Sequence, residues 1–366
     1  MNYKKAGVDI ERGDEASSIL YEASKKTFAN RTGLIGDVIL PFDDFTGIRA
    51  VDISKLPAGS FMSMNFDGVG TKVEIAQRMG RHDTIAYDLI AMVADDAIVR
   101  GAEPVLVGSV LDVSSIDVEG IKELASGYVK AAKAANVAVV NGELAELGDA
   151  VGGYGDFKYN WCASLVWFAR KEKLFTGDEL EIGDSIVVLR EKGFRSNGLS
   201  LVRKVFEVAY GSDWHNHQYK GTTLGDRVLQ PSKIYSKAFI SMHGGFSSEG
   251  SCKIHGVAHI TGGGIPGKLG RILKKRKYGA YLEDLYSPCK GMLHCQEIGD
   301  IEDREAYRTW NMGNGLMVVT PEPEKVVNEV KRFDIEAKVA GEVSEDHNIK
   351  IKSKGFFGGE LNFSLE

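Results

Sequence analysis

The arrangement that most restricts this chain is an apolar run followed by a glycine turn, met in both halves. In the first half, Phe61-Met-Ser-Met-Asn65 runs into Asp67-Gly-Val-Gly-Thr-Lys72. In the second, Ile186-Val-Val-Leu189 leads to Ser196-Asn-Gly198, and another turn follows at His259-Ile-Thr-Gly-Gly-Gly264. Glycine permits backbone conformations and close approaches that other residues cannot make, so a strand can turn sharply into a helix there. Two such junctions predict two α/β domains rather than one. The length of 366 residues suits that division, since domains commonly hold ~100–200 residues. The charged, turn-rich stretch Lys171 to Asp184 carries the expected boundary, giving domains 1–175 and 176–366.

Periodicity fills in the elements. A helix is expected from Asp83 to Arg100, with Asp83 as N-cap and Ile85, Leu89, Met92, Val93 and Ala97 at helical spacing. Gly101-Ala-Glu-Pro104 stops it. A second helix is expected from Asp117 to Ala135 and a third from Leu201 to Tyr210. Val105–Val113, Val137–Val140 and Trp161–Ala169 read as strands.

Composition narrows the function. Hydrophobic residues make up 43% and charged residues 26%, which suits a packed globular protein. A net charge of −6 argues against a general nucleic-acid partner, because phosphate contacts need a basic surface. The one basic run, Lys274-Lys275-Arg276-Lys277, reads as a solvated face. Cys162, Cys252, Cys289 and Cys295 have no CxxC spacing, as expected of free thiols in a reducing compartment. No apolar run approaches the ~20 residues of a membrane span, and the first residues lack a signal-peptide core. The expectation is a soluble cytoplasmic protein with neither membrane nor nucleic acid as partner.

The chemistry concentrates in Asp67–Lys72. Glycines after a strand bring backbone N–H groups close to an anion, lysine adds a point charge, and aspartate beside phosphates suits Mg²⁺. The helix that follows carries Asp88, Asp95 and Asp96. Asp88 reads as a wet outer face. Asp95-Asp96, flanked by Ala94 and Ala97, fits a wet face less well and points to metal. Gly262-Gly-Gly-Ile-Pro-Gly267-Lys268 imitates a P-loop, but Leu269 has no hydroxyl for a metal and Pro266 has no N–H to offer. The triple glycine remains a candidate for close approach to a phosphorylated ligand, and His259 just before it is a candidate acid or base. His215 with His217, and Cys289 with His294 and Cys295, lack the further partners of a zinc site, and the histidine pair reads as surface.

Ordered along the chain stand Lys5-Ala-Gly-Val-Asp-Ile10, Asp67–Lys72, His82-Asp-Thr-Ile85 with Asp95-Asp96, Gly101-Ala-Glu-Pro104 and Asn141-Gly-Glu143. Ser196-Asn-Gly-Leu-Ser-Leu-Val-Arg-Lys204, Pro231-Ser-Lys-Ile-Tyr235, His259–Gly264 and Tyr307-Arg-Thr-Trp-Asn-Met-Gly313 follow. This series resembles the phosphoribosylformylglycinamidine cyclo-ligase family from near the first residue to beyond residue 315. The resemblance implies two α/β domains, a homodimer paired through N-terminal sheets, and use of ATP and Mg²⁺ to convert formylglycinamidine ribonucleotide into aminoimidazole ribonucleotide. It further implies that Asp67, Asp95 and Asp96 hold Mg²⁺, and that Gly68, Gly70, Thr71, Lys72, Asn141 and Glu143 lie on the ATP side. Asp67, Lys72 and His259 would be catalytic. Ser196, Asn197, His259, Thr261, Gly262, Gly263 and Gly264 would meet the substrate, with His259 moving a proton.

The chain also departs from the family pattern. Residues 33–47 have few glycines and added acids (Asp37, Asp43, Asp44), which implies either a more open nucleotide site, the favoured reading, or acids that help hold a second Mg²⁺. Asp95-Asp96 stands for Asn-Asp, Asn141-Gly-Glu143 stands for Gly-Gly-Glu, and the tail after about Gly341 matches poorly. The alternatives are a thiamine-monophosphate kinase-like enzyme of the same fold and a non-catalytic nucleotide-binding paralogue.

Overall fold

The computed structural model describes residues 10–39, 49–51, 53–54 and 56–365. Residues 5–9 of the first motif, and Asp43 and Asp44, lie outside the described residues. The chain divides into two compact units, Met1–Ala97 with Glu103–Lys171, and Ile98–Ala102 with Glu172–Glu366.

The first unit contains α1 (Ile10–Phe28), β1 (Val38–Ile39), β2 (Ala50–Val51), β3 (Ser60–Gly68), α2 (Lys72–Met79), α3 (Ile85–Ile98), β4 (Glu103–Val113), α4 (Val118–Ala135), β5 (Ala138–Glu146) and β6 (Tyr159–Arg170). Its main sheet has the order β3-β6-β4-β5, with β4 and β5 parallel and the other neighbours antiparallel. Alternation along β6 separates two faces. Trp161, Ala163 and Leu165 are buried, with Trp161 edge-on to Tyr128 of α4 at 5.0 Å. Cys162 of β6, Met62, Met64 and Phe66 of β3, and Val110 of β4 are exposed.

Helix α3 is apolar nearly all round, with Leu89, Ile90, Val93, Ala94 and Ala97 buried, as a core helix must be. Helix α4 starts where Asp117 Oδ1 accepts from the Glu119 and Gly120 N–H groups at 3.1 and 3.2 Å. Such a cap contributes about 1 kcal/mol. Asn65 of β3 donates to the Val93 carbonyl at 3.0 Å, which holds the strand carrying Asp67 against α3.

The second unit contains β7 (Ser185–Arg190), α5 (Leu199–Tyr210), β8 (Gln218–Tyr219), β9 (Thr222–Thr223), α6 (Leu224–Leu229), α7 (Ser236–His243), β10 (Gly256–His259) and α8 (Gly264–Leu273). There follow β11 (Gly279–Leu282), α9 (Lys290–Gly299), α10 (Asp303–Thr309), β12 (Asn314–Thr320), α11 (Pro323–Lys331), β13 (Ala337–Ser344), β14 (Asn348–Lys352) and β15 (Glu360–Ser364). Seven strands form one sheet in the order β10-β12-β7-β13-β11-β14-β15, and only the β11–β14 pairing is parallel. Ile186–Leu189 and Leu316–Val319 are wholly buried at its centre. Each unit is therefore a mixed α/β body with a largely antiparallel sheet.

Near the C-terminus, Asp303 gathers a loop. Its carboxylate accepts from Gln296 Nε2 at 2.8 Å, from the Phe357 and Gly358 N–H groups at 3.2 and 3.0 Å, and from the Ser353 hydroxyl. Phe356 and Phe357 remain exposed on this loop.

One expectation is corrected here. His215 is not a surface residue: the turn Trp214–Asn216 tucks Trp214 and His215 inside, because the indole needs a dry site and carries its neighbour with it. His217 does remain exposed. All four cysteines are free, and burial pushes the Cys295 thiol up to about 12. Among the described residues no helix is long and apolar enough to cross a membrane.

Candidate active site

In the first unit the β3-to-α2 junction puts Asp67 half-buried near the strand end, where its Oδ1 accepts from the Gly68 N–H at 2.7 Å. Gly70 takes φ +68° and is exposed, as is Thr71, whose side chain makes no cap bond to α2. Asp67 and Asn141 line one groove of about 480 Å³. Asn141 and Glu143, both exposed on β5, also line a cavity of about 260 Å³ beside α1.

One expectation about charge fails on burial. Asp88 is not on a wet face: it is 0% exposed, as is Lys72, and Lys72 Nζ donates to Asp88 Oδ1 at 2.7 Å. A carboxylate inside an apolar helix needs a cation partner, and the four-carbon lysine stem reaches it from the start of α2. Lys72 thereby ties α2 to α3 within the unit.

Asp95 is fully buried and Asp96 half-buried. Among the described residues no group of three or more His, Cys, Asp or Glu is placed to hold a metal, so Asp67, Asp95 and Asp96 form no protein cage. That fits Mg²⁺ in one respect. This ion usually takes one or two carboxylates and completes its shell with phosphate and water.

The motif around His82 is structural. His82 Nδ1 meets the Tyr159 hydroxyl at 3.0 Å, and the His82 backbone N–H donates to Glu123 Oε2 at 2.7 Å. Burial holds the His82 imidazole below its ordinary pKa, against the pull of Glu123.

In the second unit three of the sequence motifs interlock. Gly198 has φ +72°, and a Cβ there would lie 2.5 Å from Trp310 Nε1 and 2.6 Å from Thr309. Gly264 opens α8 with φ +59°, and a Cβ there would lie 1.8 Å from the Tyr307 carbonyl oxygen. Only glycine fits either place. A Cβ on Gly262 would come within 3.2 Å of Asn197 Oδ1, so the Ser196–Gly198 turn abuts the triple glycine. Gly262 and Gly263 are exposed, whereas Thr261 is buried. Ser196 Oγ is buried and, among the described residues, has no hydrogen-bond partner.

His259 ends β10 at 1% exposure, and its Nε2 lies 2.7 Å from Arg195 Nη2. Arg195 is itself buried. Its Nη1 donates to Glu191 at 3.0 Å and to the Lys233 carbonyl at 2.8 Å, and its guanidinium lies 5.4 Å from the centre of the Tyr235 ring. Arg195 also takes φ +58°, a left-handed conformation that costs a side-chain residue roughly 1–2 kcal/mol. Glu191, Arg195 and Tyr235 are the site residues that reasoning from sequence passed over. Arg195 adjoins Ser196-Asn-Gly198 and Tyr235 closes Pro231–Tyr235, so proximity to a motif was the available signal.

These two sites, on two α/β units, define the class. The first unit matches AIR synthase related protein, N-terminal domain, over residues 49–161, and the second matches AIR synthase related protein, C-terminal domain, over residues 181–354. The phosphoribosylformylglycinamidine cyclo-ligase of Thermoanaerobacter sp. (strain X514) is 34% identical over 353 residues, covering 94% of this chain and 98% of the relative. That of Pyrococcus horikoshii is 31% identical over 365 residues, covering 97% and 99%. A solved hydrogenase maturation protein HypE, in complex with ATP, shares the fold with a TM-score of 0.56 at 14% identity, covering 87% of this chain and 88% of that one. The chain belongs to the phosphoribosylformylglycinamidine cyclo-ligase family.

Proposed function

We propose that this protein is the ATP-dependent cyclo-ligase that closes formylglycinamidine ribonucleotide to aminoimidazole ribonucleotide, releasing ADP and phosphate, in cytoplasmic purine biosynthesis. The observation that carries this reading is the interlocking of Ser196–Gly198, His259–Gly264 and Tyr307–Gly313 in one unit of a chain similar to such ligases over nearly its whole length. The buried, unpartnered Ser196 hydroxyl supports a polar ligand there, because buried polar atoms ordinarily find partners.

ATP, when bound, supplies the phosphoryl group that turns the formyl oxygen into a leaving group, so that an amidine nitrogen can close the ring. The chain's share is positioning and charge neutralisation. Asp67 would hold Mg²⁺ together with nucleotide phosphate, with Asp95 and Asp96 as further candidate ligands. Gly68, Gly70, Thr71, Asn141 and Glu143 are the residues assigned to the nucleotide. Lys72 is assigned to anchoring the turn from within. Ser196, Asn197, Thr261 and Gly262–Gly264 would hold the substrate around His259.

We also assign a homodimer, in which the exposed face bearing Met62, Met64, Phe66 and Val110 is covered by a second copy. Exposed apolar faces of this kind mark association surfaces. Light scattering should return about twice the 39.9 kDa chain mass, and a monomer at micromolar concentration would overturn the dimer.

The test of function is a coupled ADP-release assay offering formylglycinamidine ribonucleotide and thiamine monophosphate in parallel. Aminoimidazole ribonucleotide should form from the first. Phosphorylation of the second alone would transfer the protein to the kinases of this fold, and no turnover of either would make it a nucleotide-binding paralogue.

A further inference from the structure

We propose that Arg195 is a positioning residue that fixes His259 as the Nδ1–H tautomer, so that His259 does not act as a base through Nε2. The inference rests on the second unit being the substrate side of a cyclo-ligase.

The chemistry of the pair leaves one arrangement. A guanidinium has five N–H donors, no acceptor, and does not lose its proton in proteins. Arg195 Nη2 lies 2.7 Å from His259 Nε2, so Nε2 must present its lone pair. The proton of the neutral ring then sits on Nδ1. For Nε2 to collect a proton from substrate, the Arg195 contact would first have to break.

Arg195 is built not to move. Its side chain is buried, Nη1 is held by Glu191 and by the Lys233 carbonyl, and one face lies over Tyr235. Glu191 is fixed in turn: Oε1 accepts from the Lys192 and Gly193 N–H groups at 2.8 and 3.2 Å, and Oε2 accepts from the Lys233 N–H at 3.2 Å. Tyr235 is tied to the Arg190 carbonyl at 2.8 Å. A side-chain residue persists at φ +58° only where its surroundings over-determine it, and such positions gather at functional sites.

The experiment uses full-length protein labelled with ¹⁵N-histidine, read by long-range ¹H–¹⁵N spectra, with His259 identified by its absence in His259→Asn. In the wild type the proton is expected on Nδ1 and Nε2 is expected bare. In Arg195→Met the Nε2–H tautomer should appear and turnover should fall about 100-fold, the scale of a small misplacement at a reacting centre, with KM for ATP unchanged. Arg195→Lys, which keeps a cationic donor, should restore the Nδ1–H tautomer and part of the turnover. A wild-type ring protonated on Nε2 would overturn the proposal, as would an Arg195→Met protein with unaltered tautomer or unaltered turnover. Should Arg195→Met fail to fold, the wild-type and Arg195→Lys spectra decide. Failure of the cyclo-ligase reading would appear separately, as wild-type protein that makes no aminoimidazole ribonucleotide while its His259 tautomer stands.

Discussion

The two candidate sites are built on opposite plans. In the first unit Gly70, Thr71, Asn141 and Glu143 are exposed, and Lys72 and Asp88 pair with each other inside. In the second unit the corresponding residues are locked. Gly264 is wedged under Tyr307, Gly198 under Trp310, and His259 is held by an arginine that is itself held by Glu191. A polyanion carried with its own metal can be met by an open turn that offers backbone groups. A reactive small molecule needs its contacts fixed before it arrives, because orientation is where much of the rate comes from. The difference also explains where sequence change should hurt: the first site tolerates new side chains at its surface, and the second tolerates almost none.

The largest effect should come from the locked site. Gly264→Ala puts a methyl 1.8 Å from a backbone oxygen at positive φ, and neither can yield cheaply. The unit should lose more than about 3 kcal/mol, enough to remove cooperative urea unfolding or soluble expression. Gly70→Ala, also at positive φ but with open space around it, should cost far less. Equal losses would erase the contrast.

Next comes the buried pair. Lys72→Met removes the cation paired with the Asp88 carboxylate and should cost about 3–5 kcal/mol, while Lys72→Met with Asp88→Leu should recover most of it. If the double variant were stable but blind to ATP in calorimetry, Lys72 would return to the nucleotide side.

Asp67→Asn should lower turnover at least ~100-fold with unchanged unfolding, as expected for a half-buried residue whose charge serves a ligand rather than the fold. Near-normal turnover at limiting Mg²⁺ would remove it from the site.

The smallest effect concerns acid. Burial lowers the pKa of His82 in the first unit and of His243, which donates to the Lys173 carbonyl at 2.8 Å, in the second. Below pH 6.5 the unfolded chain takes up protons that these folded histidines refuse. Their contribution is thus complete above 6.5 and is lost as pH falls toward the folded pKa values. His82→Gln should flatten part of the decline in Tm between pH 7 and 5, and an unchanged slope would assign the decline to other groups.

How much was legible followed from range. Strands β3, β6 and β7 and helix α4 coincide closely with their apolar patterns and, for α4, with the Asp117 cap, because those signals lie within a few residues. Strand β5 was expected only over Val137–Val140 and runs to Glu146. Its second half is recruited by parallel pairing with β4, down to Val113 opposite Glu146, which no local pattern reports. Strands β13 and β14 pair with β7 and β11, far back in the chain, and the family match extends to residue 354, where a poor match was expected after about Gly341. At the sites, residue types and glycines were readable and their partners were not. Asp88 looked solvated because Lys72 is 16 positions away. Arg195 drew no notice because its partner His259 is 64 positions away.

The Asp303 loop has a consequence for handling the protein. Phe356 and Phe357 are exposed, aromatic and adjacent, the kind of bond a chymotrypsin-type protease selects. Cleavage, however, needs the chain drawn out straight in the protease cleft, and here two consecutive backbone N–H groups are nailed to one buried carboxylate. The bond is displayed but cannot be fed into the enzyme until that carboxylate lets go, so digestion there should report the local opening of the C-terminal loop rather than its exposure.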